Sequence, residues 1–436
     1  MRRYPSYKDS GVEWIGEIPE GWETIRLGML GTFSSSGIDK KSNDNETPIR
    51  MVNYTDITSS KGRNPLLKSD FEYMRVTTPQ SKLVEHRLRK GDLVFIPSSE
   101  TLDDLGVSSV IDFEEDDIVF SYHIIRFQPS REIFHYFKKY LVNHHSILSQ
   151  FSSEGKGTTR QIIGRYVFRN VKVVLPPLSE QTQIVSYLDR KTEGIDKLIQ
   201  TKVRKIELLK EYRTSIISKV VTKGLNPNVE MKDSGVEWIG EIPSHWEIKR
   251  LKYFCEMVNE KGIPDEGEIK ISPENVENNS GVCLNLYSEY SGEGVKFTIE
   301  DILLNKLRLY LKKFLFTEYE GYSMGEMIVL RIISGEKRYY FLSLFHQGLI
   351  DELDNQSTGV KLPRVSPEVI LNTKFPIPSP SEQTQIVSYL DEQTQLIDKN
   401  IQTEERKIEL LKEFRQSLIS EVVTGKIKVC NDEEVH

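Results

Sequence analysis

Two stretches of this chain carry the residue types that grip a polyanion. The first, GKGTTRQIIGRYVFRNVK (residues 155–172), holds five cations and no carboxylate. Around its Gly155/Gly157 loop stand Lys156, the hydroxyls of Thr158 and Thr159, and the guanidinium groups of Arg160 and Arg165. The second, LLNKLRLYLKKFLFT (residues 303–317), sets Asn305 beside four cations, Lys306, Arg308, Lys312 and Lys313. An arginine bonds two acceptors at once, as on the edge of guanine, whereas lysine and threonine hold phosphates or base edges. A charge run is more often a solvated face, but here one occurs in each half of the chain. The formal net charge of −7 opposes nucleic-acid binding, because phosphate asks for a basic surface. The acid is clustered elsewhere, in DFEEDD (residues 112–117) and in the last six residues, so local basic patches survive.

No catalytic constellation accompanies these patches. The chain has no G-x-x-x-x-G-K-[ST] phosphate loop, no G-x-G-x-x-G, and no Asp/Asn-Pro-Pro-aromatic tetrapeptide of the kind that holds a flipped base. The segment IPDEGEIK (residues 263–270) has the elements of a metal-dependent nuclease, but they crowd into one turn and read better as an acidic loop. The His144-His145 pair cannot point one way on a helix and is expected at a solvated helix end. Three scattered cysteines suit a reducing cytoplasm rather than disulfides or a thiolate zinc site. No apolar run is long enough to span a membrane, and MRRYPSYKDS lacks the apolar core of a signal peptide.

What must position the basic patches is a frame written twice. KDSGVEWIGEIPEGW (residues 8–22) returns as KDSGVEWIGEIPSHW (residues 232–246), and SEQTQIVSYLD at 179 returns unchanged at 381. RKIELLKEYRTSIISKVVT (residues 204–222) returns as RKIELLKEFRQSLISEVVT (residues 406–424), 202 residues later. All four tryptophans lie in the frame and are expected to be buried anchors. After each SEQ segment apolar residues follow at helical spacing: Ile184, Leu188, Ile195 and Ile199, then Ile386, Leu390, Ile397 and Ile401. This is a coiled-coil seam. Ser179 and Ser381 offer N-caps, and Gly224 and Gly425 offer helix stops. Each helix can hold about 44 residues, roughly 65 Å.

Two matching stripes in one chain are most simply buried against each other, antiparallel, with a head at either end. The expected fold is α+β: two mixed α/β globular domains separated by two long helices in an antiparallel coiled coil, with pseudo-twofold (cyclic) symmetry. The expected boundaries are 1–178 for the first head, 179–224 for the central helix, 225–380 for the second head, 381–425 for the last helix and 426–436 for an acidic tail. Cyclic equivalence would bring the first Trp segment to the end of the last helix. Each head should hold short strands, such as DLVFI (residues 92–96) and EMIVLRII (residues 326–333), and one amphipathic helix near 131–145 or 337–349.

The entry segment GVEWIGEIPEGW, the junctions LPPLSEQTQIVSYLD and IPSPSEQTQIVSYLD, and the long repeated helices resemble the specificity (S) subunits of type I restriction-modification systems. The resemblance covers essentially the whole chain. It implies two target-recognition domains, each reading one half of a bipartite, asymmetric site in double-stranded DNA, with the helices as a ruler. It implies two methyltransferase subunits docked on the helical regions (Gln181, Ile184, Leu188, Ile195, Gln383, Ile386, Leu390 and Ile397) and two restriction subunits added to that core. Catalysis, with S-adenosylmethionine, ATP and Mg, would belong to those partners, and this chain would hold no cofactor or metal. It further implies reading loops at Lys90, Ser98, Ser99 and Thr101, with the strand GDLVFIP, and at Asn305, Lys306 and Arg308 in the second half. The rival readings are a coiled-coil scaffold with two protein-binding heads and a self-contained nuclease or methyltransferase.

Overall fold

The computed structural model describes residues 3–59, 62–359 and 361–429; most of the expected acidic tail, 430–436, lies outside them. The chain divides into two compact units. One runs up to Thr201 and resumes at Lys407; the other is Lys202–Arg406. Each therefore owns one head, half of the central helix and half of the last helix.

In the first unit the frame strand Tyr7–Asp9 pairs antiparallel with Glu17–Pro19, and Glu23–Arg26 pairs antiparallel with Lys172–Leu175. The second pairing ties the start of the head to its end, where the central helix Leu178–Lys223 begins. The main sheet has the order Gly31–Ser35, Ile125–Pro129, Leu93–Phe95, Ser108–Ile111, Leu66–Leu67. Its central strand, Leu93-Val94-Phe95, is buried on both faces, as an apolar run without alternation requires. Phe33, Phe127, Phe151 and Phe168 cluster with its Phe95, with centroids 4.7 Å apart for Phe33–Phe127 and 4.9 Å for Phe151–Phe168.

The second unit repeats this plan on unrelated residues. Met231–Asp233 pairs with Glu241–Pro243, and Glu247–Arg250 with Lys374–Ile377. Its main sheet runs Cys255–Val258, Met327–Ile332, Ile302–Asn305, Phe314–Phe316, the same order as the first four strands of the other head. In place of the one amphipathic helix expected in each head there are two short ones, Lys138–Leu141 and His145–Ser153, then Lys337–Ser343 and Gln347–Asn355.

Within each unit the two helices run antiparallel. In the first, Arg415 Nη2 donates to Asp196 Oδ2 at 3.3 Å, and Ile184, Leu188 and Ile195 share a core with Leu418, Ile419 and Val422. In the second, Arg213 meets Asp398 at 3.1 Å, while Lys202 and Lys205 bracket the buried Glu404 carboxylate at 2.8 and 2.9 Å. Partners ascend along one helix as they descend along the other.

The frame closes each unit through one junction. Trp22 Nε1 donates to Glu180 Oε2 (3.3 Å) and Trp246 Nε1 to Glu382 Oε1 (3.1 Å), each carboxylate lying in the first helical turn. Gly425 and Gly224, at φ +76° and +70°, end the helices beneath those indoles, the left-handed stop that glycine adopts without a Cβ penalty. Tyr7 Oη donates to Gly425 O at 3.0 Å, so the first Trp segment does sit at the end of the last helix.

Four expectations are corrected. Ser379, not Ser381, caps the last helix, which starts at Pro380; the central helix starts at Leu178, so Ser179 is inside its first turn. Trp14 is 44 % exposed while Trp238, in the same sequence, is buried. Trp238 lies over Gly348, where a Cβ would approach it to 3.1 Å, and against Phe375; 202 residues earlier stand Ser146 and Val173. His144 is buried, and burial pushes its imidazole down to about 3. Ile427 and Val429 are buried in the first core, so the tail begins inside the fold.

Both junctions make predictions. Gly425→Ala and Gly224→Ala each force a left-handed Cβ, costing about 1–2 kcal/mol. Gly425→Ala should lower the calorimetric melting temperature further, because its Cβ runs into Pro19 as well as Trp22, whereas at Gly224 the nearest atom is 3.1 Å away. Equal losses would contradict this packing. Burial disfavours the Glu382 carboxylate, but bonds from Ser379, His245 and Trp246 outweigh it and hold its pKa down to about 2. A depressed carboxylate stabilises fully above its unfolded value of 4.5 and loses that contribution as pH falls toward 2. Acid unfolding of Glu382→Gln should therefore be flatter across that window, and a profile identical to the parent would refute the assignment.

Candidate nucleic-acid interface

In the first head, the chain leaving the buried strand Leu93–Phe95 emerges as a second short strand, Ser98–Ser99, which pairs antiparallel with Gln161–Ile162. Lys156 and Ile162 exchange backbone hydrogen bonds at 3.1 and 2.9 Å, closing a hairpin whose tip carries Thr158, Thr159 and Arg160, all exposed. Gly157, at φ +138°, makes the tight turn; a Cβ there would run into Arg160 O. Two sequence regions some sixty residues apart thus form one surface. Ser99 Oγ accepts from Thr101 N (3.2 Å), and Thr101 Oγ1 donates to Asp104 (3.3 Å). Arg165, exposed on the following short helix, donates to Ser35 Oγ at 2.8 Å. Lys90 lies at the opposite end of the Leu93–Phe95 strand, with its Nζ 3.4 Å from Asp112.

The sequence reading passed over the aromatic side of this surface. Tyr122 and Tyr54 are exposed and flank His123, with ring centroids 3.8 and 6.5 Å away. Burial lowers the His123 pKa, and the nearby Arg160 and Lys40 charges lower it further, which keeps the ring neutral beside the hairpin. Exposed aromatic faces next to cations suit stacking or groove contacts.

In the second head the same construction recurs. Leu307, just past the strand Ile302–Asn305, bridges to Arg364, and Thr358 bridges to Arg364 across a second hairpin. Arg308 N donates to Pro363 O at 2.9 Å. This hairpin, not NKLRLYLKK, is the structural counterpart of 156–162. The signal was present in the sequence: Thr358-Gly359 stands 202 residues after Lys156-Gly157, the spacing of the repeated helices.

The candidates in NKLRLYLKK separate accordingly. Arg308 is exposed, with φ +52°, and Lys306 is half-buried at the hairpin edge. Asn305 is buried, its Oδ1 accepting from Leu307 N. Lys313 donates to Pro273 O at 2.6 Å. Lys312 is withdrawn from the surface: it is 3 % exposed, its Nζ donates to Phe345 O at 3.1 Å, and burial lowers its pKa to about 8.

The eight residues expected to dock partners are corrected together, since all are buried within their own units. Gln181 Oε1 accepts from Phe134 N (2.9 Å) and its Nε2 donates to Pro176 O (2.9 Å); Gln383 does the same with Glu336 N and Pro378 O. They pin heads to helices. Ile184, Leu188, Ile195, Ile386, Leu390 and Ile397 fill the seam. The large exposed apolar side chains of the helices are instead Leu178, Leu198, Leu410 and Phe414 in the first unit and Val203, Leu208, Tyr212 and Leu396 in the second.

Among the described residues no group of histidine, cysteine or carboxylate side chains is placed to hold a metal, and no helix is long and apolar enough to cross a membrane. Cys255 and Cys283 are free thiols.

The family described as type I restriction modification DNA specificity domain matches residues 19–208 and again 243–413. The type I restriction enzyme MjaVIII specificity subunit of Methanocaldococcus jannaschii is 28% identical over 301 residues, 65% of this chain and 68% of its own length. A chain in a solved type I R-M system structure, concerned with complex assembly and conformational transition, superimposes with a TM-score of 0.67 at 17% identity, over 94% of this chain and 99% of that one. The HsdS subunit from Thermoanaerobacter tengcongensis gives 0.51 at 17% identity, over 94% and 98%. The latter two share the fold. A frame, a head and a helix written twice, and matched twice, place the chain in one family: it belongs to the type I restriction-modification DNA specificity proteins.

Proposed function

We propose that this chain is the sequence-reading subunit of a type I restriction-modification enzyme, each head docking in a DNA major groove and reading one half of a bipartite, asymmetric site. The observation that carries the proposal is the recurrence, in two heads of unrelated sequence, of a cation-bearing hairpin paired with the loop that leaves the central strand. A strand-borne hairpin is narrow enough for the major groove, and its cations and hydroxyls divide between phosphates and base edges. The helices fix the unspecified gap between half-sites and dock two methyltransferase subunits through their exposed apolar residues; two restriction subunits join that core. S-adenosylmethionine, ATP and Mg work in those partners, in the prokaryotic cytoplasm, and no chemical step falls to this chain. A coiled-coil scaffold with protein-binding heads would have no need of paired basic hairpins.

In duplex titrations, Arg160→Ala should weaken cognate binding by about 1–3 kcal/mol if the guanidinium reads a base edge, and the logarithm of the parent's affinity should fall linearly with log salt. Unchanged affinity and preference remove Arg160 from the interface, and salt-independent binding favours the scaffold. Phe414→Asp and Leu208→Asp should abolish co-purification of a methyltransferase subunit while leaving helix content intact. Retention of that subunit by both variants would show that it docks elsewhere.

A further inference from the structure

The two hairpins differ in how their charges are held. In the second head, Glu326 Oε1 accepts from Arg364 Nη2, and its other oxygen stands 3.5 Å from Lys306 Nζ. Lys306 N also donates to Glu326 O at 3.1 Å, so backbone as well as side chain fixes the arrangement. Glu326 sits immediately before the strand Met327–Ile332, which pairs with Ile302–Asn305. In the first head the strand that pairs with Leu93–Phe95 is Ile125–Pro129, and matching the two registers puts His123 at the place of Glu326. His123 is neutral, and among the described residues neither Lys156 nor Arg160 forms an ion pair. One hairpin is bare, and the other carries its own counter-ion.

Bare cations attract any duplex, because counter-ion release rewards every phosphate contact whatever the sequence. A carboxylate already lodged on the same cations must be displaced first. Rested on the DNA-reading function above, we propose that Glu326 serves the second head as an internal stand-in for a backbone phosphate, neutralising Lys306 and Arg364 until DNA displaces it and so suppressing this head's binding to non-cognate sequence. The exchange is balanced. The guanidinium and ammonium pass from carboxylate to phosphate, the phosphates release their condensed cations, and the freed carboxylate takes up a cation from solution. That uptake offsets part of the release. The ion pairs are partly open to solvent, so the carboxylate can leave without unfolding the head: the Arg364 side chain is 54% accessible, that of Lys306 30% and that of Glu326 29%.

The test uses the full-length chain and a random-sequence duplex titrated over a range of salt. Glu326→Gln removes the charge and keeps the shape. It should bind the random duplex several-fold more tightly at low salt, and its log affinity should depend on log salt more steeply by about one, the cation no longer taken up. Preference for the cognate site over the random duplex should fall. Adding Arg364→Ala to Glu326→Gln should remove the extra affinity, and Glu266→Gln, which removes a carboxylate from an exposed turn, should behave as the parent. Identical slopes for parent and Glu326→Gln overturn the proposal. So does weaker random-duplex binding by the variant, which would make Glu326 a group that reads a base. If the parent itself binds DNA without salt dependence, the DNA-reading function fails, and that outcome is distinct from failure of the Glu326 proposal.

Discussion

The structure depends on a hydrogen bond made twice, from an indole N–H to a carboxylate in the first turn of a long helix. A carboxylate is favoured there by the helix's own unpaired N–H groups, and a charge-assisted bond of this kind contributes more than a neutral one. The indole also lies over the glycine that ends the opposite helix, so a single aromatic ring fixes the beginning of one helix against the end of the other. Trp22 does this with Glu180 and Gly425, and Trp246 with Glu382 and Gly224. The buried glutamines Gln181 and Gln383 repeat the precaution, each satisfying one N–H of its head and one carbonyl of the incoming chain.

With that socket fixed, the head can change. The main sheets of the two heads share a strand order, yet their residues are unrelated by eye, because a sheet asks only for apolar runs of the right length and does not prescribe which ones. What differs lies at the rim: Arg160 beside a neutral His123 in one head, Arg364 and Lys306 on Glu326 in the other. Reading surfaces of different chemistry are thus set on one chassis.

The frame, both long helices and their antiparallel pairing were legible in the sequence because they rest on repetition and periodicity, and both survive inspection of a single chain. Exposure was not legible. Trp14 and Trp238 share their neighbours in sequence and part company in the fold, where Trp238 lies over Gly348 and Trp14 is exposed. Lys312 reads as one more cation in a basic run, and only the tertiary fold shows its ammonium folded back onto Phe345 O. The seam residues of the helices looked available because periodicity reports an apolar face without reporting what covers it. Long-range pairings such as Ser98–Ile162 leave almost no local signal; the second hairpin alone was marked, by the position of Thr358-Gly359 relative to the repeat.

The division of the chain has an outcome for biosynthesis. The second unit is continuous in sequence, whereas the first is completed by residues made after it, with Leu418, Ile419, Val422, Ile427 and Val429 closing a core begun at Ile15. During translation the head made first must wait for the segment that follows the second unit, its apolar groove unfilled, while the head made second can close as it emerges. A ribosome that stalls between Arg406 and Leu418 would therefore release a chain with a finished second unit and an open, aggregation-prone first unit.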